Sequence, residues 1–173
     1  MIVCPYCSSE NFEGVDLCGE CGQPLSDSHL PPPANEVEQG LLQDRVTVLV
    51  PKSPLTVKPN TPVIEVLRLM VERKIGCVVI ADGPAPLGIF SERDALRKLN
   101  VNATALGSHP VSEFMTPNPQ TLVANAKLAY AVHRMDLGGY RHLPIVGESG
   151  ELLGIISARD IINYLTAKMT VRR

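Results

Sequence analysis

Aromatic residues are scarce in this chain, which has no tryptophan and only 4% Phe, Tyr and Trp among 173 residues. Its hydrophobic fraction is nevertheless 45%, so an aliphatic core is expected. No uncharged apolar run approaches the roughly 18–20 residues that a membrane-spanning helix needs. The N-terminal letters, MIVCP, lack the basic and then apolar regions of a secretory signal. These absences favour a soluble cytoplasmic protein with no membrane partner.

Basic residues are absent from the first 44 positions, which carry eight acids. All 16 Lys and Arg residues follow, against 10 acids, so the rest of the chain has a formal charge of +6. That basic part is the one expected to bind an anionic ligand. The acidic N-terminal segment is poorly suited to a phosphate backbone, which disfavours nucleic acid as a partner.

One stretch of the sequence occurs twice. Residues 87–99 read LGIFSERDALRKL, and residues 153–165 read LGIISARDIINYL. A match of this length within so short a chain indicates an internal duplication. In each copy a short apolar run predicts a strand, and Ser91 or Ser157 marks the point where a helix begins.

The Ser-x-Arg-Asp order at these helix starts permits two interpretations. Ser-x-x-Asp is close to a capping box, which is purely structural. The start of a helix also attracts anions, and a carboxylate there can accept ribose hydroxyls, while serine and arginine can bind phosphate. The resulting candidate ligand residues are Ser91, Arg93, Asp94, Ser157, Arg159 and Asp160. No Ser-His-Asp or Cys-His set can be assembled, so we expect a protein that is not an enzyme.

Residues from about 45 to 167 resemble a tandem pair of cystathionine-β-synthase (CBS) domains, a Bateman module. The resemblance is carried by the two Gly-Ile-x-Ser-x-Arg-Asp segments, by FMTP at 114–117 and by RHLPIV at 141–146. The first copy has IGCVVI at 75–80 instead, without the Arg-His pair or the proline. The resemblance implies an α/β (α+β) fold of two βαββα repeats, over 45–101 and 110–170, related by pseudo-twofold symmetry.

The resemblance also implies a ligand. It suggests an adenine nucleotide (AMP, ADP or ATP) in clefts of the pair, with S-adenosylmethionine or a dinucleotide as alternatives. Arg141 and His142 occupy positions that face the phosphates in nucleotide-binding members, unless they are simply a solvated arginine and a surface histidine. Thr121 and Thr56 fall where members contact the base. Only the second copy has Arg141 and His142, so it is expected to supply the stronger site.

Four of the five cysteines form two C-x2-C pairs, with ten residues between the pairs. Cys4, Cys7, Cys18 and Cys21 are therefore expected to bind one structural Zn²⁺ tetrahedrally. Disulfides and a rubredoxin-like iron site are the alternatives. Residues 1–25, ending in CGQPL, resemble a zinc ribbon, which is too small to fold without its metal. The fifth cysteine, Cys77, lies in an apolar run and is expected to be buried and inert.

The segment 26–44 is predicted to be a linker between the ribbon and the repeats. Its three prolines at 31–33 predict a stiff spacer, and a short helix is possible over 35–43. Such a tether would let the ribbon dock on its own CBS pair or reach a partner. Further along, we predict a strand at 46–50, a helix at 92–99 and a helix from Asn125 to Met135.

Taken as a whole, the sequence predicts a regulatory protein that senses an adenine nucleotide. The resemblance and the apolar-faced helices at 63–74 and 126–135 further imply a homodimer. An alternative is a zinc-ribbon adaptor whose CBS pair is only a dimerisation scaffold. A nucleic-acid-binding ribbon protein is a third, and the absence of basic residues from the ribbon speaks against it.

Overall fold

The computed structural model describes residues 1–4, 7, 9–26 and 32–170, so that Pro31 of the expected spacer lies outside the described residues. The strands are β1 (Ile2–Val3), β2 (Glu10–Asn11), β3 (Thr56–Val57), β4 (Cys77–Ala81), β5 (Pro86–Ser91), β6 (Thr116–Pro117), β7 (Leu122–Val123), β8 (His142–Val146) and β9 (Leu152–Ser157). The α-helices are α1 (Glu36–Gln43), α2 (Val63–Arg73), α3 (Glu92–Asp94), α4 (Ala103–Leu106), α5 (Leu128–Gly138) and α6 (Ala158–Thr170). A π-helical turn, Ala95–Leu99, continues α3, and 3₁₀ turns cover Val46–Leu49, Asn100–Asn102 and Val111–Glu113.

The predicted element order recurs in the two repeats. The first runs β3, α2, β4, β5 and α3, and the second runs β7, α5, β8, β9 and α6. Both long first helices end in a left-handed residue, Lys74 with φ 53° and Gly139 with φ 62°. The mixed α/β fold with two βαββα repeats is therefore confirmed.

The chain divides into two compact units that do not follow the repeats. The first, called here the N-terminal unit, consists of Met1–Val50, Leu122–Arg141 and the residues from Ser157 onward. Pro51–Thr121 together with His142–Ile156 form the central unit. Each unit thus contains elements of both repeats.

The central unit is built on a sheet of strand order β3-β4-β5-β6. Strands β3 and β4 are parallel, whereas β4–β5 and β5–β6 are antiparallel. The strand β4 is apolar on both faces, as expected for a strand covered on both sides. Its Val78 and Ile80 join a core with Phe90 and with the apolar stripe of α2, spaced as a helix requires.

Helix α1 anchors the linker region to the second repeat within the N-terminal unit. Asn35 caps α1 by accepting a hydrogen bond from the Glu38 amide at 2.9 Å. The helix packs on α5 and α6, and a Cβ at Gly40 would collide with the Tyr164 hydroxyl. The possible helix at 35–43 therefore forms, and it is more than a tether.

Two local predictions were wrong. Residues 46–50 form a 3₁₀ turn rather than a strand, because the Val46 amide bonds to the Ala126 carbonyl and the Val48 and Val50 amides bond three residues back. Helix α5 begins at Leu128 rather than after Asn125. Its first amide donates to the Asp44 carbonyl at 2.9 Å, so a distant segment sets its start.

Helix length and polarity also bear on membrane insertion. Within the part of the chain that the structure describes, none of the helices is long and apolar enough to span a bilayer.

Candidate functional site

A capping box begins helix α3 in the central unit. The Ser91 hydroxyl and backbone amide both donate to Asp94 Oδ2, at 2.6 and 3.0 Å. The Asp94 amide donates in turn to Ser91 Oγ at 3.4 Å. The Ser-x-x-Asp segment of the first repeat therefore forms the helix cap that its spacing allows.

The other oxygen of Asp94 has its own donors. Lys98 Nζ lies 3.0 Å from Oδ1, and the Thr116 hydroxyl donates to the same atom at 3.1 Å. Two backbone carbonyls also hold the Lys98 ammonium, at 2.7 and 3.0 Å. Burial raises the pKa of the Asp94 carboxyl, but hydrogen bonds from Ser91 and Lys98 outweigh burial and leave the pKa lowered. Asp94 is thus a carboxylate already surrounded by protein donors.

The second repeat builds the same cap at the start of α6. The Ser157 hydroxyl and amide donate to Asp160 Oδ2 at 2.6 and 2.8 Å, and the Asp160 amide donates to Ser157 Oγ at 3.4 Å. The repeats differ four residues later, where Lys98 in the first is replaced by Tyr164 in the second. The Tyr164 hydroxyl donates to Asp44 Oδ2 at 2.6 Å. This position therefore supplies no ammonium to Asp160.

The residue that precedes β4 in the first repeat also differs from the residue that precedes β8 in the second. The first amide of α6 donates to the Arg141 carbonyl at 2.8 Å, as the first amide of α3 donates to the Gly76 carbonyl at 3.0 Å. Arg141 thus corresponds to Gly76 in the structure, and His142 corresponds to Cys77. A letter-by-letter alignment of 75–80 with 141–146 would instead pair Arg141 with Ile75, so the structural match is shifted by one residue. A Cβ at Gly76 would lie 3.1 Å from His142 Cε1, so that site has little space for a side chain.

The remaining candidate residues are distributed over both units. Arg93 and Arg159 are the second residues of α3 and α6, and both are exposed, as is Thr56 on β3. The N-terminal unit contains Arg141, Ser157, Arg159 and Asp160, whereas the central unit contains Thr56, Ser91, Arg93, Asp94, Thr121 and His142. The structure therefore brings Arg141 to the start of α6, where a serine, an arginine and an aspartate already lie.

Sequence reasoning missed the residues that distinguish the two helix starts. Lys98 lies four residues after Asp94, and this helical spacing could have revealed the ion pair. Thr116 is 22 residues from Asp94, and Asp44 is 120 residues from Tyr164. No local pattern links such distant partners.

The four N-terminal cysteines converge on one point. Their Sγ atoms all lie within 4.8 Å of one another. Cys4 and Cys21 are 3.7 Å apart at sulfur, and Cys7 and Cys18 are 3.5 Å apart. A tetrahedron with Zn–S bonds of about 2.3 Å has edges of about 3.8 Å. These sulfurs can therefore hold one metal ion, as the spacing of the two C-x2-C pairs predicted, in a ribbon whose β1 and β2 pair antiparallel.

Polar neighbours favour thiolates at two of these cysteines. Ser9 Oγ lies 2.9 Å from Cys7 Sγ and 3.1 Å from Cys18 Sγ, and the Asn11 side-chain amide donates to Cys18 Sγ at 3.5 Å. The Ser9 hydroxyl is the main cause of the lowered pKa of Cys7. With backbone amides it also lowers the pKa of Cys18 to about 5. The thiolate is the form that binds a metal.

Cys21 is the opposite case. The Gln23 backbone favours its thiolate, but desolvation and the neighbouring thiols outweigh that bond and raise the pKa of Cys21 to about 12. A metal that binds all four sulfurs must therefore displace a proton here. Away from this cluster, burial and the charge of Glu92 raise the pKa of Cys77 to about 12, in keeping with the inert thiol that the sequence predicted.

Comparison with known proteins gives a family. The CBS-domain family model matches residues 48–101 and 111–167. A CBS domain-containing protein of Arabidopsis thaliana is 32% identical over 116 residues, which are 66% of this chain and 21% of the plant protein. The chain therefore spans about a fifth of the length of that relative.

Solved structures share the same fold. A CBS-domain protein from Agrobacterium tumefaciens is 31% identical with a TM-score of 0.64, covering 69% of this chain and 98% of its own. A CBS-domain protein from Pyrobaculum aerophilum, complexed with AMP, is 25% identical with a TM-score of 0.61, covering 71% and 98%. The ribbon lies outside the matched family segments. The duplicated segments, the repeated βαββα order and the family match together show that this chain belongs to the CBS-domain family.

Proposed function

We propose that this chain is a cytoplasmic regulatory protein that binds an adenine nucleotide (AMP, ADP or ATP) at its CBS pair and catalyses no reaction. The observation that carries the proposal is the pair of Ser-x-Arg-Asp helix starts, which recur at α3 and α6 in a chain of the CBS family. A relative 25% identical to this chain binds AMP. A helix start with serine, arginine and aspartate offers the donors and the acceptor that a nucleotide needs.

The main site is assigned to the second repeat. Asp94 already accepts from Ser91, Thr116 and Lys98, so a ribose at α3 would have to displace an ammonium from its carboxylate. At α6 the corresponding residue is Tyr164, whose hydroxyl is directed to Asp44. Displacing this hydrogen-bonded charge partner is costly, and only the second repeat adds Arg141 and His142 for the phosphates, so nucleotide binding at α6 is favoured.

The proposed roles follow from the chemistry of each side chain. Asp160 accepts the ribose hydroxyls, while Ser157 and Arg159 contact phosphate. Arg141 and His142 add two further groups for the phosphates, and the first repeat has Gly76 and Cys77 in their place. Thr121, and Thr56 in the weaker site, are assigned to the base, as the resemblance to CBS domains implies. S-adenosylmethionine or a dinucleotide is the alternative ligand at the same residues.

Calorimetry on the full chain tests the nucleotide proposal. AMP, ADP, ATP, S-adenosylmethionine and guanosine monophosphate would each be titrated into the protein. We expect one dominant site per chain that takes adenine nucleotides and excludes the guanine control. Heat from none of these ligands would instead favour an interaction adaptor whose CBS pair is a scaffold.

The metal proposed for the four cysteines is structural Zn²⁺. The sulfur separations of 3.5 and 3.7 Å support a closed tetrahedral site. All four ligands come from the protein, so the metal would stabilise the ribbon and leave no position for a substrate. Metal analysis of protein purified without added metal should give about one Zn per chain. Iron with its visible colour would contradict zinc while leaving the site itself intact.

We further propose that two chains form a homodimer through CBS-repeat surfaces. Leu96, in the π-helical turn that continues α3, and Ile162, on α6, occupy matching positions in the two repeats, and they are 76% and 60% exposed. Apolar side chains repeated in this way suit an interface of two self-complementary copies. Sedimentation of the full chain should give the mass of a dimer that Leu96→Asp weakens. A monomer at high concentration would remove this part of the proposal.

A further inference from the structure

Helices α3 and α6 begin with different first residues, although both use the same capping box. Glu92 is the first residue of α3, and Ala158 is the first residue of α6. The Glu92 amide donates to the Gly76 carbonyl at 3.0 Å. The Ala158 amide donates to the Arg141 carbonyl at 2.8 Å, so Glu92 and Ala158 occupy equivalent positions. The two helix starts therefore differ by one carboxylate as well as by one arginine.

The Glu92 carboxylate lies at the point where the second repeat has an arginine. A Cβ at Gly76 would be 3.5 Å from Glu92 Oε2 and 3.2 Å from His142 Nε2. Since Gly76 corresponds to Arg141, this carboxylate is close to the place where the arginine side chain begins in the second repeat. Its negative charge also reaches the adjoining strand, because it adds to burial in raising the pKa of Cys77.

The charge at the two helix starts differs accordingly. The formal charge is −1 over Gly76, Glu92, Arg93 and Asp94, and it is +1 over Arg141, Ala158, Arg159 and Asp160. Lys98, whose counterpart in the second repeat is the neutral Tyr164, brings the first set only to zero. A phosphate monoester carries a charge of about −1.5 to −2 at pH 7. Glu92 would repel such a group at the start of α3, whereas Arg141 would attract it at the start of α6.

We propose that Glu92 is a specificity-determining residue that excludes phosphate from the weaker site of the first repeat, which then takes adenosine ligands without a phosphate group. This inference rests on the proposed function and names the ligand class of its weaker site. The two repeats share the aspartate that would accept the ribose, but they differ in the charge that a phosphate would meet. The ratio of the Kd values for AMP and adenosine isolates that difference, because both ligands have the same base and ribose.

Reciprocal substitutions at the two first residues test the inference. Amide NMR shifts of the full chain at the starts of α3 and α6 would give the Kd values for AMP and for adenosine at each site. Ala158→Glu should raise the Kd for AMP at α6 roughly tenfold and leave the Kd for adenosine unchanged. Glu92→Ala should lower the Kd for AMP at α3 by a similar factor. Glu65→Ala, which removes an exposed first-turn glutamate from α2, is the matched control and should change neither ratio.

Neutral variants of the same size separate charge from shape. Glu92→Gln should bind AMP at α3 as Glu92→Ala does, and Ala158→Gln should bind AMP at α6 as the unmodified chain does. The Glu92 variants decide the question even if Ala158→Glu fails to fold, because Glu92 is exposed. Equal losses of AMP and adenosine in Ala158→Glu, equal losses for its Glu and Gln variants, or an AMP affinity at α3 that Glu92→Ala does not improve would each overturn the inference. Binding of neither ligand at either helix start would instead refute the proposed function itself.

Discussion

Replacing Asp160 with alanine should weaken AMP binding far more than the same change at Asp94. The two aspartates sit in matching capping boxes, with Ser157 and Ser91 as their partners. Lys98 and Thr116 also contact Asp94, whereas only the repeat of Asp160 has Arg141 and His142 beside its strands. The comparison therefore isolates ribose binding from helix capping.

The magnitude follows from the bonds at stake. A hydrogen bond to a charged group is worth about 1.5–3 kcal/mol, so Asp160→Ala should raise the Kd for AMP roughly ten- to hundredfold. Both variants keep the serine N-cap and lose only the aspartate half of the capping box, which costs about 1 kcal/mol of stability in each. Asp94→Ala also breaks the ion pair with Lys98, so it should be the less stable protein and yet the better binder.

Calorimetry with AMP and urea unfolding of the same preparations would separate the two effects. Unfolding free energies show whether each variant is folded under the conditions of the titration. If Asp94→Ala abolishes binding while Asp160→Ala leaves it intact, the sites are assigned to the wrong repeats. If neither change affects the Kd, the two Ser-x-x-Asp segments are helix caps only.

Three further outcomes follow from individual contacts. Arg141→Ala should weaken ATP binding more than adenosine binding in calorimetry, because an arginine beside the α6 start would contact only phosphate. Tyr164→Phe should lower the free energy of unfolding by about 1 kcal/mol at pH 7, as measured in urea. The Tyr164 hydroxyl lowers the pKa of Asp44 in the folded protein. The stability lost in Tyr164→Phe should therefore be complete above about pH 4, the pKa of an unfolded aspartate, and should shrink as the pH falls through the lower pKa of folded Asp44. Cys77 should resist alkylation at pH 7 in the native zinc-loaded protein, because burial raises the pKa of its thiol to about 12. Mass spectrometry of the labelled peptide should show that Cys77 reacts only after unfolding.

Much of the fold could be predicted because its signals are local. The duplicated segment fixes two strands and two helix starts, and the helix over 63–73 follows from the apolar spacing of Val63, Val66 and Met70. The cysteine spacing likewise predicted which four sulfurs meet. These features depend on short-range geometry, which a single sequence contains.

The parts that could not be predicted depend on distant partners. Residues 46–50 look like a strand, but the carbonyl of Ala126 captures the Val46 amide and a 3₁₀ turn forms. The start of α5 is set by Asp44, not by Asn125. The difference between the two aspartates also arises from tertiary contacts, since Tyr164 finds Asp44 across 120 residues of sequence. Propensity and spacing carry no information about such pairings.

The central claim is that an adenine nucleotide binds at the start of α6, and amide hydrogen exchange of the full chain with and without saturating AMP tests it most directly. The account predicts slower exchange for the amides of Ser157 to Asp160 and of His142 when AMP is present, with little change at Ser91 to Asp94. Protection confined to the start of α3, or unchanged exchange in both segments at a concentration that saturates binding, would contradict it.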